Sequence, residues 1–271
     1  MKRNIVTYFV TAMVAGCALV GCDLLDNHPY DVAKSDSPRI NEVNAKKIER
    51  ACDTKTTLVI AVISDTQGWY DETLDFVRDV NKRKDVDFVI HLGDFTDYGS
   101  AREFEWQRKI LDKLNVPYVC DLGNHDCLGT GLSTYRYLFG PIDYSFIAGR
   151  VKFLMLNTNA LEFDFTAQIP DLNFIEDECE SRRDEFDRTV VTMHGKPYSD
   201  VFDNNLAEAF QNIITRLPGL MFCLNGHNHK AELNDIFGDG IIYYQTPSID
   251  KRQYYLFTIT PTGYSYETVN Y

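Results

Sequence analysis

Five short segments of the chain carry residues of the kind that hold metal ions. They are Ser64-Asp65-Thr66-Gln67, Gly93-Asp94, Gly123-Asn124-His125-Asp126, His194-Gly195 and Gly226-His227-Asn228-His229. Together they offer two carboxylates (Asp65, Asp94), two amides (Gln67, Asn124) and three imidazoles (His194, His227, His229), with no thiolate. A mixed nitrogen and oxygen set of this sort suits hard and borderline first-row cations. It exceeds what one ion accepts in tetrahedral or octahedral geometry, so two ions are implied. Two cations about 3.5 to 4 Å apart need a carboxylate between them. Asp94, on the second of three regularly spaced segments, is the natural bridge. Such a pair also lowers the pKa of a bound water to near neutrality, and so makes a hydroxide available at the site.

Each segment directly follows an apolar run: Leu58 to Ile63, Val86 to Leu92, Pro117 to Leu122, Arg188 to Met193 and Leu220 to Leu224. Strands this continuously apolar belong to sheets covered on both faces. Between the first three lie helical patterns, Asp71 to Lys84 with Leu74, Val77 and Asn81 on one side, and Arg102 to Leu114 with Phe104, Leu111 and Leu114 inward. The order is β-α-β-α-β. Asp65 and Asp94 are 29 residues apart and Asp94 and Asn124 are 30 apart, one βαβ unit each. The ligands therefore recur at one height of a sheet, at the carboxyl strand ends where α/β sheets form their crevice. A helical Asn205 to Leu217 separates the last two apolar runs. Tyr144 to Ala148 with Val151 to Leu156, and Ile241 to Gln245 with Tyr254 to Thr260 and Tyr264 to Val269, read as strands joined by turns containing Gly149, Gly240 and Gly263. Those hairpins predict a second, partly antiparallel sheet beside the first.

Taken singly, Asp65 or Asp97 is the kind of residue that turns a chain or caps a helix. His91 lies inside a strand, belongs to none of the five segments, and reads as a hydrogen-bonded core histidine. Tyr243 and Tyr244 read as core and surface of one strand. Phe163-Asp164-Phe165 and Tyr198 to Phe202 fit either a substrate mouth or plain packing.

In order and in combination, Asp65-x-Gln67, Gly93-Asp94-x-x-Asp97, Gly123-Asn124-His125-Asp126, His194 and Gly226-His227-x-His229 resemble the five-block signature of calcineurin-like metallophosphoesterases, over roughly residues 57 to 245. The resemblance implies an α/β fold, a four-layer α/β/β/α sandwich of two mixed sheets flanked by helices. It implies two divalent or trivalent transition-metal ions (Mn, Fe or Zn) and hydrolysis of a small phosphoester substrate. By the same resemblance Asp65, Gln67 and His229 hold one metal, Asn124, His194 and His227 hold the other, and Asp94 bridges them. His125 would protonate the leaving oxygen, and Asp126 would hold its ring by accepting the other N–H. Gln67 stands where the pattern usually has His, and a neutral amide oxygen is a weaker donor than imidazole. The alternative is therefore a surface-binding lipoprotein that keeps the fold and has lost turnover.

The 271 residues carry 44% apolar and 25% charged side chains, an ordinary globular composition. A net charge of −13 gives the body a field that repels phosphate polymers and anionic bilayers, so no nucleic-acid partner is expected. Met1, Lys2 and Arg3 precede a charge-free apolar run of 16 residues, Ile5 to Val20, which reads as a signal peptide. Leu19-Val20-Gly21-Cys22 resembles a bacterial lipobox, which implies cleavage after residue 21 and lipidation of Cys22. Val14-Ala15-Gly16-Cys17 fits more loosely, and an ordinary secretory signal or a short anchor helix are the other readings. The expected organisation is a signal peptide over 1–21, a tether and short leading helix over 22–55, and the catalytic domain over 56–271. The protein would be exported and held by lipid at a bacterial membrane, on the periplasmic face or the cell surface. Cys52, Cys120, Cys127, Cys179 and Cys223 form no legible disulfide framework. Cys120 and Cys223 sit in strands and read as buried thiols.

Overall fold

A computed structural model describes residues 38–271. The leader and the lipobox with Cys22 lie outside the described residues. The described chain begins with α1 (Ile40–Cys52), followed by β1 (Leu58–Ile63), α2 (Tyr70–Val80), β2 (Phe88–His91), α3 (Ala101–Leu111), β3 (Tyr118–Cys120) and α4 (Gly131–Leu138). It continues through β4 (Tyr144–Ala148), β5 (Val151–Leu156), α5 (Leu172–Glu180), β6 (Arg188–Met193), α6 (Ala207–Ile214), β7 (Leu220–Asn225) and β8 (Glu232–Asn234). The last three strands are β9 (Tyr243–Gln245), β10 (Gln253–Thr260) and β11 (Gly263–Asn270).

Two mixed sheets stack face to face, a five-stranded one ordered β11-β10-β1-β2-β3 and a six-stranded one ordered β4-β5-β6-β7-β9-β8. Phe88, Ile90, Val119 and Phe257 from the first meet Phe146, Phe153, Val190 and Phe222 from the second. Phe76, Val80, Phe104 and Tyr135 cover the outer face of the first sheet, and Ile175, Phe210 and Ile214 cover that of the second. This is the four-layer α/β/β/α sandwich.

The five apolar strands are divided between the sheets rather than gathered in one. β1, β2 and β3 run parallel in the first, and β6 and β7 run parallel in the second. In four layers every central strand is covered on both faces, so a continuous apolar run does not say which sheet owns it. The β10–β11 hairpin likewise adds antiparallel to the free side of β1 instead of joining the other hairpins, and β9 pairs parallel with β7. Double coverage also buries both Tyr243 and Tyr244, one against the outer helices and one between the sheets. The face of α2 is Thr73, Phe76, Val77 and Val80, leaving Leu74 half-buried. Asn81 follows that helix and hydrogen-bonds the 113–115 turn through both side-chain atoms. The cysteines of the described residues are free, with Cys120 and Cys223 buried.

The leading helix is integral to the packed body. β3 ends the first sheet, and an exposed strand edge invites further pairing. Asn41 on α1 closes it, donating to the Cys120 carbonyl at 3.0 Å and accepting from its N–H at 2.9 Å, while Asn44 donates to Tyr118 O at 2.8 Å. Glu49 accepts from Ile147 N at 2.9 Å on β4, the edge strand of the other sheet. Asn41→Ala removes both bonds and leaves the Cys120 N–H to Tyr144 Oη at 3.2 Å and its carbonyl to the Tyr135 and Tyr144 hydroxyls, so the loss is that of ordinary hydrogen bonds, about 0.5 to 1.5 kcal/mol each. Its thermal midpoint is expected several degrees below that of the unaltered protein by calorimetry; an unchanged midpoint would refute this account of the edge.

Candidate metal centre

The loops after β1 and β2 continue the ladder of their strands. Asp65 N donates to Gly93 O at 3.0 Å and Thr66 N to Asp94 O at 2.8 Å, which draws Asp65 and Asp94 together. The next loop arrives through a glycine contact. Gly93 adopts φ +93°, and a Cβ there would strike the backbone of Gly123, while a Cβ on Gly123 would strike Asp94. Hydrogen bonds fasten the second sheet across the crevice, among them His194 Nδ1 donating to Leu92 O at 2.7 Å and His227 N donating to Asp65 Oδ2 at 3.1 Å. Asp65, Asp94, His227 and His229 all have positive φ (53°, 62°, 76° and 58°). Left-handed non-glycine residues are uncommon and cluster at functional sites, where surrounding structure holds them.

Asp65, Asp94 and His194 each point one ligand atom at a common place, all within 4.8 Å of one another and all buried. His194 Nε2 lies 3.3 Å from Asp94 Oδ2 and 3.0 Å from Asn124 Oδ1. His227 Nδ1 is 3.1 Å from the same Asn124 oxygen. Gln67 Nε2 reaches Asp94 Oδ2 at 3.4 Å, and the half-exposed His229 places Nε2 3.4 Å from Asp65 Oδ1. All seven expected ligands therefore meet in one crevice.

The donor set fits cations. Gln67 Oε1 is buried without a hydrogen-bond partner, and Asp65 Oδ1 has no hydrogen-bond partner either. Because Nδ1 of His194 carries the proton given to Leu92, its neutral ring turns the Nε2 lone pair toward the oxygens of Asp94 and Asn124. Lone pairs aimed at lone pairs are repulsive unless a proton or a metal ion lies among them. Burial lowers the pKa of His194, but the Asp94 carboxylate overrides it and raises the ring to about 10. Burial raises Asp94, and the His194 charge brings it below the usual carboxylate value. Metal binding to such a site displaces that proton.

Asp126 does not touch the His125 ring. The two are consecutive in the 3₁₀ turn His125–Cys127, where neighbours project about 120° apart. His125 Nδ1 instead donates to the Asp97 carbonyl at 2.9 Å. Asp126 is buried and accepts the N–H groups of Asp94, Phe95, Thr96 and Gly123 at 2.9 to 3.1 Å, so it shapes the loops that carry the ligands. Burial and the nearby Asp94 charge push its carboxyl up to about 7. His91 is the core histidine its position suggested. It donates from Nε2 to Thr66 Oγ1 at 2.9 Å, accepts from Gly93 N at 3.1 Å, and stacks on Phe95; burial lowers it to about 3.

Two residues near the centre were given no role from the sequence, although one of them, Asp200, lies inside the Tyr198 to Phe202 run. Asp200 Oδ1 lies 2.6 Å from His227 Nε2. Glu162 sits close enough to His125 and Asp94 for their charges to act on it. Neither follows a strand or shares a motif with its partner, so spacing held no signal for either.

A four-layer sandwich whose strand ends assemble a buried carboxylate, amide and imidazole crevice defines the class of the metallophosphoesterases. The chain belongs to the calcineurin-like phosphoesterase family, whose model matches residues 58–231. The uncharacterized protein YvnB of Bacillus subtilis (strain 168) is 27% identical over an alignment 127 positions long that covers 41% of this chain and 10% of that protein. The chain thus spans about a tenth of that curated relative. Among solved structures, GAP50, described as the anchor in the inner membrane complex of Plasmodium, aligns with TM-score 0.57 at 12% identity over 80% of this chain and 85% of that one. The purple acid phosphatase PPD1 of yellow lupin (Lupinus luteus) aligns with TM-score 0.53 at 14% identity over 79% of this chain and 54% of that one. Identities this low speak for the fold.

Proposed function

We propose that the protein is a dinuclear metal-dependent phosphoesterase, exported and anchored by lipid on Cys22. The observation that carries the enzymatic reading is the buried group of Asp65, Asp94 and His194, whose ligand atoms lie within 4.8 Å of one another, with buried oxygens of Asp65 and Gln67 that take no hydrogen bond. In this reading Asp65, Gln67 and His229 hold one ion, Asn124, His194 and His227 the other, and Asp94 both. When bound, the ions supply Lewis acidity and an activated water for in-line attack on the phosphorus of a small ester. With Nδ1–H of His125 committed to the Asp97 carbonyl, Nε2 is the position from which the doubly protonated ring would give its second proton to the departing oxygen, leaving a neutral ring.

The test is metal uptake and turnover of the same preparation. The chain from residue 22 onward is expected to bind two equivalents of Mn, Fe or Zn and to hydrolyse p-nitrophenyl phosphate or its bis-ester. The fold alone does not entail turnover, and Gln67 favours a second reading, a binding lipoprotein. One metal equivalent or none, without hydrolysis of either ester, would establish that second reading.

Among the described residues no helix is long and apolar enough to cross a membrane. Stable anchoring of such a body takes two or more acyl chains. Cys22→Ser is therefore expected to move the protein from the membrane fraction to the soluble fraction. Unchanged sedimentation, with no acyl mass on the N-terminal peptide, would refute the anchor.

A further inference from the structure

His227 is expected to bind metal through Nδ1, which faces Asn124 Oδ1 and the interior of the crevice. Both ring nitrogens nevertheless confront oxygen acceptors, Asn124 Oδ1 at 3.1 Å from Nδ1 and Asp200 Oδ1 at 2.6 Å from Nε2. A neutral imidazole has one N–H to give. Whichever oxygen takes it decides whether Nδ1 carries a lone pair or a proton. A carboxylate accepts more strongly than an amide oxygen, and its shorter distance agrees.

Asp200 is held in place by its neighbours. Its carboxylate is largely open to solvent, but Val201 and Phe202 beside it are buried. The loop folds back so closely on the residue after His194 that a Cβ on Gly195 would strike the Val201 side chain. Val201 O accepts from Leu161 N at 3.2 Å, and Asn204 pins the loop from both sides, to Tyr198 N at 2.8 Å and Ser199 O at 3.1 Å. The loop that follows one expected ligand thus carries a carboxylate to the back of another, 27 residues further on.

We infer that Asp200 is a positioning residue that fixes the tautomer of His227, holding the proton on Nε2 so that Nδ1 is free for the second metal ion. Without Asp200, the protein acceptor left within hydrogen-bond distance of the ring, among the described residues, is Asn124 Oδ1. The proton then moves to Nδ1, the atom the metal needs. Outer partners of this kind are worth about 10- to 100-fold in metal affinity.

The inference rests on the proposed metal centre, and its first test needs no metal. Long-range nitrogen–proton NMR spectra of the metal-free protein are expected to show His227 protonated on Nε2, and Asp200→Ala to shift it to the Nδ1–H form. In calorimetric titration with Zn or Mn, Asp200→Ala should weaken the second equivalent by about 10- to 100-fold and leave the first unchanged. Asp200→Asn, which keeps an uncharged acceptor, should recover part of that loss. An Nε2–H ring in Asp200→Ala, or two ions bound with unaltered affinity, would overturn the assignment. If the unaltered protein binds no metal, the phosphoesterase reading fails, and the tautomer measurement still decides the part played by Asp200.

Discussion

Asp94→Asn is expected to leave the protein folded and nearly empty of metal. The Asp94 carboxylate is buried and sits where the ligands of both proposed ions meet, 3.3 Å from His194 Nε2 and 3.4 Å from Gln67 Nε2. Two divalent cations about 4 Å apart repel by on the order of 15 kcal/mol even at an effective dielectric of about 20. A negative charge between them is what makes joint occupancy favourable, and an amide of the same shape removes it. Oδ1 of the amide still accepts from His125 N, so that loop keeps its bond. Hydrolysis should fall by on the order of 10³ or more, because the loss exceeds that of a single charge-stabilising donor. Gln67→His should act in the opposite sense on one site, raising occupancy of the first ion by supplying a stronger donor. Elemental analysis and a thermal melt on the same samples decide the matter. Two metals per chain in Asp94→Asn would remove the bridge from the proposal.

The elements that position the centre were legible in the sequence where two signals coincided. Arg188 to Met193 and Val151 to Leu156 are found at their expected boundaries, being apolar runs ended sharply by a glycine loop or a ligand loop. The five candidate segments were legible because each follows the carboxyl end of such a run, where the apolar pattern stops and polar residues take over. Partition between the sheets was not legible, because β10 with Tyr254 and Leu256 on one face and Tyr255 and Phe257 on the other is as apolar as any parallel strand. α4 and α5 escaped notice as well; each is under three turns long, and much of what fixes them is tertiary, as in the Tyr135 hydroxyl bound to Cys120 O at 2.7 Å.

Within the centre, sequence reasoning named residues that the fold brings together and misjudged a contact that orients one of them. Ligands announce themselves by residue type at strand ends. Their supports are chosen by geometry that appears only on folding. The family resemblance gave Asp126 to the His125 ring, and adjacency in a 3₁₀ turn is what keeps the two side chains apart. The support His125 does use is a backbone carbonyl, that of Asp97, which has no signature in any sequence. The support of His227 comes from a loop on the far side of α6 in the chain, and only the packing of Val201 brings it within reach.

His125→Ala is expected to separate proton donation from metal binding. The side chain lies outside the ligand set, and the part of the residue that touches Asp94 is its backbone N–H, at 3.0 Å, which alanine retains. Metal content should therefore stay at the level of the unaltered protein. With Nδ1–H given to the Asp97 carbonyl, the proton available to a departing oxygen is the second one, on Nε2 of the imidazolium form. Loss of a general acid costs on the order of 10² to 10⁴ in rate when the leaving group is an alkoxide that must be protonated as it departs. A nitrophenolate leaves as a stable anion and needs that proton far less. The variant should accordingly hydrolyse an alkyl phosphate ester very poorly and keep much more of its activity toward a nitrophenyl ester, measured on one metal-loaded preparation. Equal losses on both esters at intact metal content would make His125 a stabiliser of phosphoryl charge instead of an acid. Loss of metal would make it a ligand, and the Asn124, His125 and Asp126 segment would have to be read afresh.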